Sequence, residues 1–338
     1  MRICTMISIL PLLAGFIPVS SSQARADGEG GEFRLTKSQL TRGPDHHLFG
    51  YIGQSLTVPW NANNRYVVAL RTDFHDRLPG AGDAADVVLI DTHNENKVEV
   101  LDRTFGWNLQ QGSMLYWNPE QPETQFFFND RDPQDGRVFT VLYDIAARRR
   151  VQEYRYALHS MGNSGVSPVG GEFAAINYGR MARLRPVTGY AGALDETEGI
   201  DAPADDGIFL INIRRGDERL LLSFARMAEM LKTVTDWEIL NKRWTPVDEA
   251  QDPSAKPDTS EAKLYINHTL FNRTGDRLYF FLRGRREKQS IWLNVPCSIK
   301  TDGTEFVVHQ TSVGGHPEWG RGDTIIGARD GHQVVYDV

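Results

Sequence analysis

The sequence predicts an all-β fold, a β-propeller of four-stranded blades carrying one short rim helix. Three observations lead there. Short β-rich runs recur with turn signals between them, the runs fall into groups of about four, and the groups repeat at roughly 45–100 residues. Composition agrees. With 31 Gly, 16 Pro and 34 aromatics (16 Phe, 11 Tyr, 7 Trp) in 338 residues, strands and turns are favoured over long helices. A pair of β-sandwiches competes for the same spacing, and the four-strand grouping favours the propeller.

Residues 1–26 read as a secretory signal. Arg2 supplies the positive start, an apolar stretch follows to Val19, and Ala24-Arg-Ala26 offers small residues for cleavage after Ala26. Pro11, Gly15 and Pro18 interrupt the stretch, which is short for a membrane anchor. The expected location is therefore secreted or periplasmic, with no membrane insertion after cleavage. Cys4 leaves with the signal, so Cys297 is expected as the one cysteine of the mature chain, in a structural role. Residues 27–45 are Gly-rich and polar and read as a lead-in, and the propeller is expected over 46–338.

The groups follow in order. Runs at Arg65–Arg71, Asp86–Asp91 and Lys97–Leu101 open the pattern. The second group holds Gly112–Trp117, Gln125–Phe128, Val138–Tyr143 and Arg150–Tyr156. The third opens near Ser164 and continues at Phe173–Ile176, Gly207–Asn212 and Arg219–Leu222, stretched by an insertion. Ala262–Ile266, Arg277–Leu282, Ser290–Asn294 and Glu305–Val308 form the fourth, and His316–Trp319, Asp323–Gly327 and Gln333–Tyr336 begin a fifth. Between the third and fourth, Leu220, Leu221, Phe224, Met227, Met230 and Leu231 fall at helical spacing inside Glu218–Lys242, which predicts the rim helix. A chain ending inside a group reads as the front of a longer propeller.

The net charge is −7, and no basic run occurs, so nucleic acid is not an expected partner. Hydrophobic residues at 40% and charged at 24% exclude a wholly disordered or fibrous chain. No Gly-x-Ser-x-Gly, His-Glu-x-x-His, phosphate loop or dinucleotide fingerprint is present, and no organic cofactor is implied. His268 and His316 each precede an innermost strand, which faces the central funnel of a propeller. Converging imidazoles ligate Zn or Mn, and His309 and Gln310 lie near enough in sequence to join them. Two unrelated strand-capping histidines are the alternative. Polar strings take the same funnel-side placement: Asn108-Leu-Gln-Gln111 with Gly112, Asn129-Asp-Arg131, and Asn177-Tyr178-Gly-Arg180 followed by Arg183. Arginines bind carboxylates bidentately, and a tyrosine beside them moves protons. Each arginine alone reads equally as a solvated surface charge.

From about residue 46 onward the chain resembles a known group. Phe49-Gly-Tyr51, Pro59-Trp-Asn61, Trp107-Asn-Leu-Gln-Gln-Gly112, Met114-Leu-Tyr-Trp117, Phe128-Asn-Asp-Arg131, Tyr190-Ala-Gly192, Asp205-Asp-Gly-Ile208, Asn267-His268 with Phe271-Asn272, and Gly315-His316 with Trp319 carry the likeness. They look like secreted bacterial propellers of the oligogalacturonate-lyase and ulvan-lyase kind, built from WD40-like repeats related to those of the TolB propeller. That group implies about seven blades in the full fold and β-elimination on uronate-containing acidic polysaccharide or oligosaccharide. It implies a divalent metal, Mn or Zn, held by histidines and a glutamine, for which His268, His309, Gln310 and His316 are the matching positions. It also implies a Tyr doing proton work beside an Arg that holds the acid, for which Tyr178 with Arg180 or Arg183 match. Gln111 and Asn129 stand where the group has catalytic histidines, and neither transfers protons at neutral pH. Three functions follow: a polysaccharide lyase, a non-catalytic propeller binding glycan or protein in the cell envelope, and a TolB-like scaffold.

Overall fold

Among the described residues, five antiparallel sheets follow one another along the chain. The computed structural model describes residues 35–50, 57–233, 262–285, 291–309, 311 and 313–338. The chain divides into two units, Met1–Arg42 and Gly43–Val338. Within the first, residues 35–42 are described and carry no regular secondary structure, and the expected signal segment lies outside the described residues.

The first sheet of the second unit orders β1 (His46–Leu48), β2 (Tyr66–Thr72), β3 (Ala85–Asp91) and β4 (Lys97–Thr104). The second orders β5 (Tyr116–Trp117), β6 (Gln125–Arg131), β7 (Val138–Asp144) and β8 (Arg149–Tyr154). The third uses β9 (Met161–Val166), β10 (Glu172–Asn177), β11 (Gly207–Asn212) and β12 (Glu218–Ser223), with helix α1 (Tyr178–Leu184) between β10 and β11 and helix α2 (Phe224–Thr233) after β12. The fourth orders β13 (Lys263–Phe271), β14 (Arg277–Arg285), β15 (Ile291–Lys300) and β16 (Val307–Val308), and the fifth β17 (Gly314–Trp319), β18 (Thr324–Arg329) and β19 (His332–Asp337). Each sheet is an antiparallel meander of strands consecutive in the chain, the construction of a propeller blade, and in the third the connection from β10 to β11 is lengthened by the insertion that carries α1.

The apolar runs in the middle strands follow from stacking the sheets face to face. Phe126 and Phe128 of β6 pack with Val68, Leu70 and Val87 of the first sheet. Phe127, between them, turns to the other face and meets Phe173 and Phe209 of the third. All three are fully buried. A strand covered on both faces needs no polar side, so its sequence is continuously apolar. Outer strands differ: β8 alternates exposed and half-buried along Arg149–Tyr154, ending on buried Tyr154. The same stacking joins the third sheet to the fourth through Ala174, Leu210, Leu264 and Phe280. The fourth meets the fifth through Tyr279, Phe281, Trp319 and Ile325.

Three details depart from the sequence expectation. His46 and His47, expected ahead of the first strand, form β1 and pair with Thr72 and Arg71. The described residues hold two helices, not one. In α1 the Asn177 side chain accepts from the Arg180 N–H at 2.8 Å and caps the first turn, which starts a helix where a strand end was expected. The helical pattern expected from Glu218 also begins late. Glu218–Ser223 pairs with β11, and the helix takes over at Phe224, burying Phe224, Met227 and Leu231 on one face.

Candidate functional site

Bulges in the innermost strands create the site. In β13 the ladder slips between Asn267 and Leu270, and in β17 between Gly314 and Glu318. His268 and His316 sit on those slips with φ of 62° and 60°, and Met114, just before β5, has φ of 54°. An extra residue in one strand re-aims its side chain, here toward the centre of the blades. Thr57, Met114, Ser164 and His268, from four successive blades, thus line one small cavity together with Gln111 and Tyr178. Its volume is about 30 Å³, room for one or two waters.

An aromatic follows three residues after both bulged histidines: His268 precedes Phe271 and His316 precedes Trp319, and the same spacing joins Met114 to Trp117. The two indoles perform equivalent tasks. Trp117 Nε1 donates to Pro59 O at 2.9 Å, and Trp319 Nε1 donates to Leu270 O at 2.8 Å. Each ties its inner strand to that of the preceding blade. Thr57, Met114 and Ser164 were not among the candidate site residues, because none stands in a recognisable catalytic or ligand motif.

His268 and His316 meet. Their ring centroids lie 6.2 Å apart with planes at 82°. His268 Nε2 is 3.1 Å from Asn267 Nδ2, and its ring contacts Phe281 edge-on. Burial, with Arg283, His316 and Arg185 adding to it, pushes the His268 imidazole well below its ordinary value, so it is neutral at pH 7. His316 is exposed. His309 does not join the pair. Its Nε2 bonds Ser298 Oγ at 2.9 Å and its Nδ1 bonds Tyr336 OH at 3.2 Å. Gln310 lies outside the described residues. Among the described residues no three of His, Cys, Asp or Glu come together in a metal-binding group. Of the expected set, the described residues bring two imidazoles together, His268 and His316.

The tyrosine and arginines take up other positions. Tyr178 is buried, stacks on Tyr190 at 4.2 Å and 5°, and donates to Asn163 O at 3.1 Å. Burial raises its phenol well above the usual range. Arg180 is fully buried and turned into the insertion. It donates to Leu264 O, Thr197 Oγ1 (2.8 Å), Ile200 O (3.0 Å) and Asp201 O. Burial pushes its guanidinium down, and the Asp206 and Asp195 carboxylates offset part of that. Arg183 pairs with Asp195 at 2.8 Å. Arg131, also buried, donates to Asp132 O and Ala81 O. These three arginines were expected to hold a substrate acid; in the structure the hydrogen bonds they donate go to backbone carbonyls, the Thr197 hydroxyl and Asp195.

Gln111 and Asn129 are buried and part of a web. Gln111 Nε2 donates to Asn267 Oδ1 at 3.0 Å, reaching the fourth blade. Asn129 Nδ2 donates to Asn163 O (2.8 Å) and Tyr190 OH (3.0 Å), and its Oδ1 accepts from Asn163 N at 2.8 Å. Asn163, which the sequence reading passed over, is thus the centre that Asn129 and Tyr178 share. Buried polar groups are retained when they satisfy one another, and this web holds three blades in register around the cavity.

No protein-family profile matches the chain, and no curated protein matches it. Solved structures with a similar course include hydrazine synthase of Kuenenia stuttgartiensis (10% identity, TM-score 0.43, covering 79% of this chain and 59% of that one). The β-propeller domain of the trilobed protease from Pyrococcus furiosus gives 9% identity and a TM-score of 0.42, covering 82% and 65%. An oligogalacturonate lyase in complex with manganese gives 8% and 0.39, covering 88% and 79%. The chain spans less than two thirds of the length of the first two. No described helix is long and apolar enough to cross a membrane.

Proposed function

We propose that the protein is a non-catalytic binding propeller of the cell envelope, with acidic oligosaccharide as its ligand class. One observation supports the non-catalytic part: the side chains expected to do the proton work donate their hydrogen bonds within the protein. Tyr178, Asn129 and Gln111 bond Asn163, Tyr190 and Asn267, and Arg180 bonds backbone carbonyls. β-Elimination needs a base for the C5 proton and a cation for the uronate carboxylate. A phenol raised by burial and already donating is a poor base, and a cavity of about 30 Å³ does not admit a sugar ring. Ligand contact on this reading occurs at the surface around the funnel. The ligand class itself rests on the sequence resemblance.

A second reading keeps the lyase, centred on His268 and His316, because their rings converge from neighbouring blades. A metal there, Mn or Zn, would neutralise the uronate carboxylate and acidify the proton to be removed. Two imidazoles do not complete such a site, so no step is derived through it. Incubation with oligogalacturonate and with ulvan, Mn²⁺ or Zn²⁺ present, separates the readings. The binding propeller gives a flat absorbance trace for unsaturated uronate and measurable calorimetric binding of at least one glycan. A rise that disappears in His268→Ala restores the lyase. Absence of binding to every acidic glycan overturns the ligand class.

A further inference from the structure

We propose that His46 and His75 form an exchangeable site for a divalent transition-metal ion, such as Zn²⁺ or Ni²⁺, on the first blade. His46 opens β1, and His75 lies in the connection from β2 to β3. His75 Nδ1 and His46 Nε2 face each other at 3.1 Å, with ring centroids 4.1 Å apart. Two nitrogens bound to one tetrahedral zinc at 2.0–2.1 Å stand about 3.4 Å apart. Two imidazoles bound in plane to one such ion hold their centroids about 5 Å apart, so the rings must also swing apart by about 1 Å, turning both nitrogens onto a shared ion. His268 and His316 differ in this respect: their rings lie edge to face at 6.2 Å, and His268 Nε2 faces the neighbouring amide.

The supporting structure fixes one ring and leaves the other adjustable. His46 pairs in register with Thr72, and the neighbouring pair is His47 with Arg71, so the backbone of β1 is held by the sheet. His75 is exposed, between Phe74, which packs on Trp107, and Arg77, which lies over the Phe74 ring. Exposure leaves the remaining coordination positions to water, which makes the site weak and exchangeable rather than structural. In the metal-free pair one facing nitrogen donates to the other. Binding needs that proton on the far nitrogen of its own ring, a change of tautomer with no net proton release.

Calorimetric titration of the full chain, without an affinity tag, with ZnCl₂ and then NiCl₂ at pH 7.5 tests this. Wild type is expected to bind one ion at this site. His75→Ala and His46→Ala are each expected to weaken that binding at least tenfold. His268→Ala/His316→Ala is expected to leave it in place. Zn²⁺ should also raise the Tm of wild type and not of His75→Ala, an exposed change that spares the fold. The proposal is overturned if wild type binds neither ion, if His75→Ala binds as wild type does, or if the only binding present is lost with His268 and His316.

Discussion

Burial and the Arg277 guanidinium hold the His309 imidazole down at about 4. The consequence for stability has a definite sign. Unfolded, the ring takes up a proton near pH 6.5; folded, it does so only near pH 4. Its contribution is complete above pH 6.5 and is lost as pH falls toward 4, at 1.36 kcal/mol per pH unit, about 3 kcal/mol in all. Asp206 acts the other way. Burial raises its carboxyl to about 6, so its contribution is present below the unfolded value and lost as pH rises toward 6. The two largely cancel between pH 4 and 6. His309→Gln keeps partners for Ser298 and Tyr336 and removes one of the opposing slopes. Urea unfolding at pH 7, 5 and 4 should show wild type losing up to about 3 kcal/mol relative to the variant over that range. Parallel pH profiles for the two proteins would show that His309 titrates normally. His309 and Arg180 also show what burial does to such side chains. Both read as chemistry in the sequence, and both are buried donors or acceptors with protein partners. What a side chain bonds to is decided by the packing of sheets far apart in sequence.

At the level of the element, the strands were legible and the bulges were not. Apolar runs such as Gln125–Phe128 and Arg277–Leu282 announced strands because stacked sheets bury both faces. The convergence of His268 with His316 was also legible, since it needs only that each open an inner strand. The exact aim was not, because a bulge changes side-chain direction without changing hydrophobic pattern. The left-handed backbone at these positions offers a test. A non-glycine residue there carries roughly 1 kcal/mol of strain, more for a β-branched side chain. His316 is exposed with φ of 60°. His316→Gly should therefore unfold at the wild-type Tm or above it, and His316→Val several degrees below. Thermal unfolding of the three proteins reads this directly, and the reverse order would mean that the imidazole itself stabilises the bulge by more than the strain it incurs.

The connection from the first sheet to the second ties the whole assembly together, and nothing in the sequence pattern announced it. Residues 105–112 leave β4, and Trp107 Nε1 donates to Asp83 O of the first blade at 2.9 Å. Asn108 Nδ2 then reaches Thr188 O in the third blade's insertion at 3.0 Å, and Gln111 reaches Asn267 in the fourth. The segment brings Gln111 to the wall of the small cavity. Its spatial path crosses four blades, whereas a local pattern reports only neighbours along the chain, so it read as a polar string awaiting substrate. Gly112 is where the segment admits no side chain. Its φ is +62°, and a Cβ there would lie 2.5 Å from Phe49 O. Gly171 has φ of +82° with nothing within 4 Å of a Cβ, so it carries the backbone penalty alone. Gly171→Ala should then cost about 1 kcal/mol, whereas Gly112→Ala must also displace the Phe49 backbone and should cost about 3 kcal/mol or more. Because the segment touches four blades, Gly112→Ala should lower the far-UV and near-UV unfolding midpoints together. If the near-UV midpoint fell alone, or if both alanine variants lost the same stability, the segment would be a passive connection and the blades would be holding one another without it.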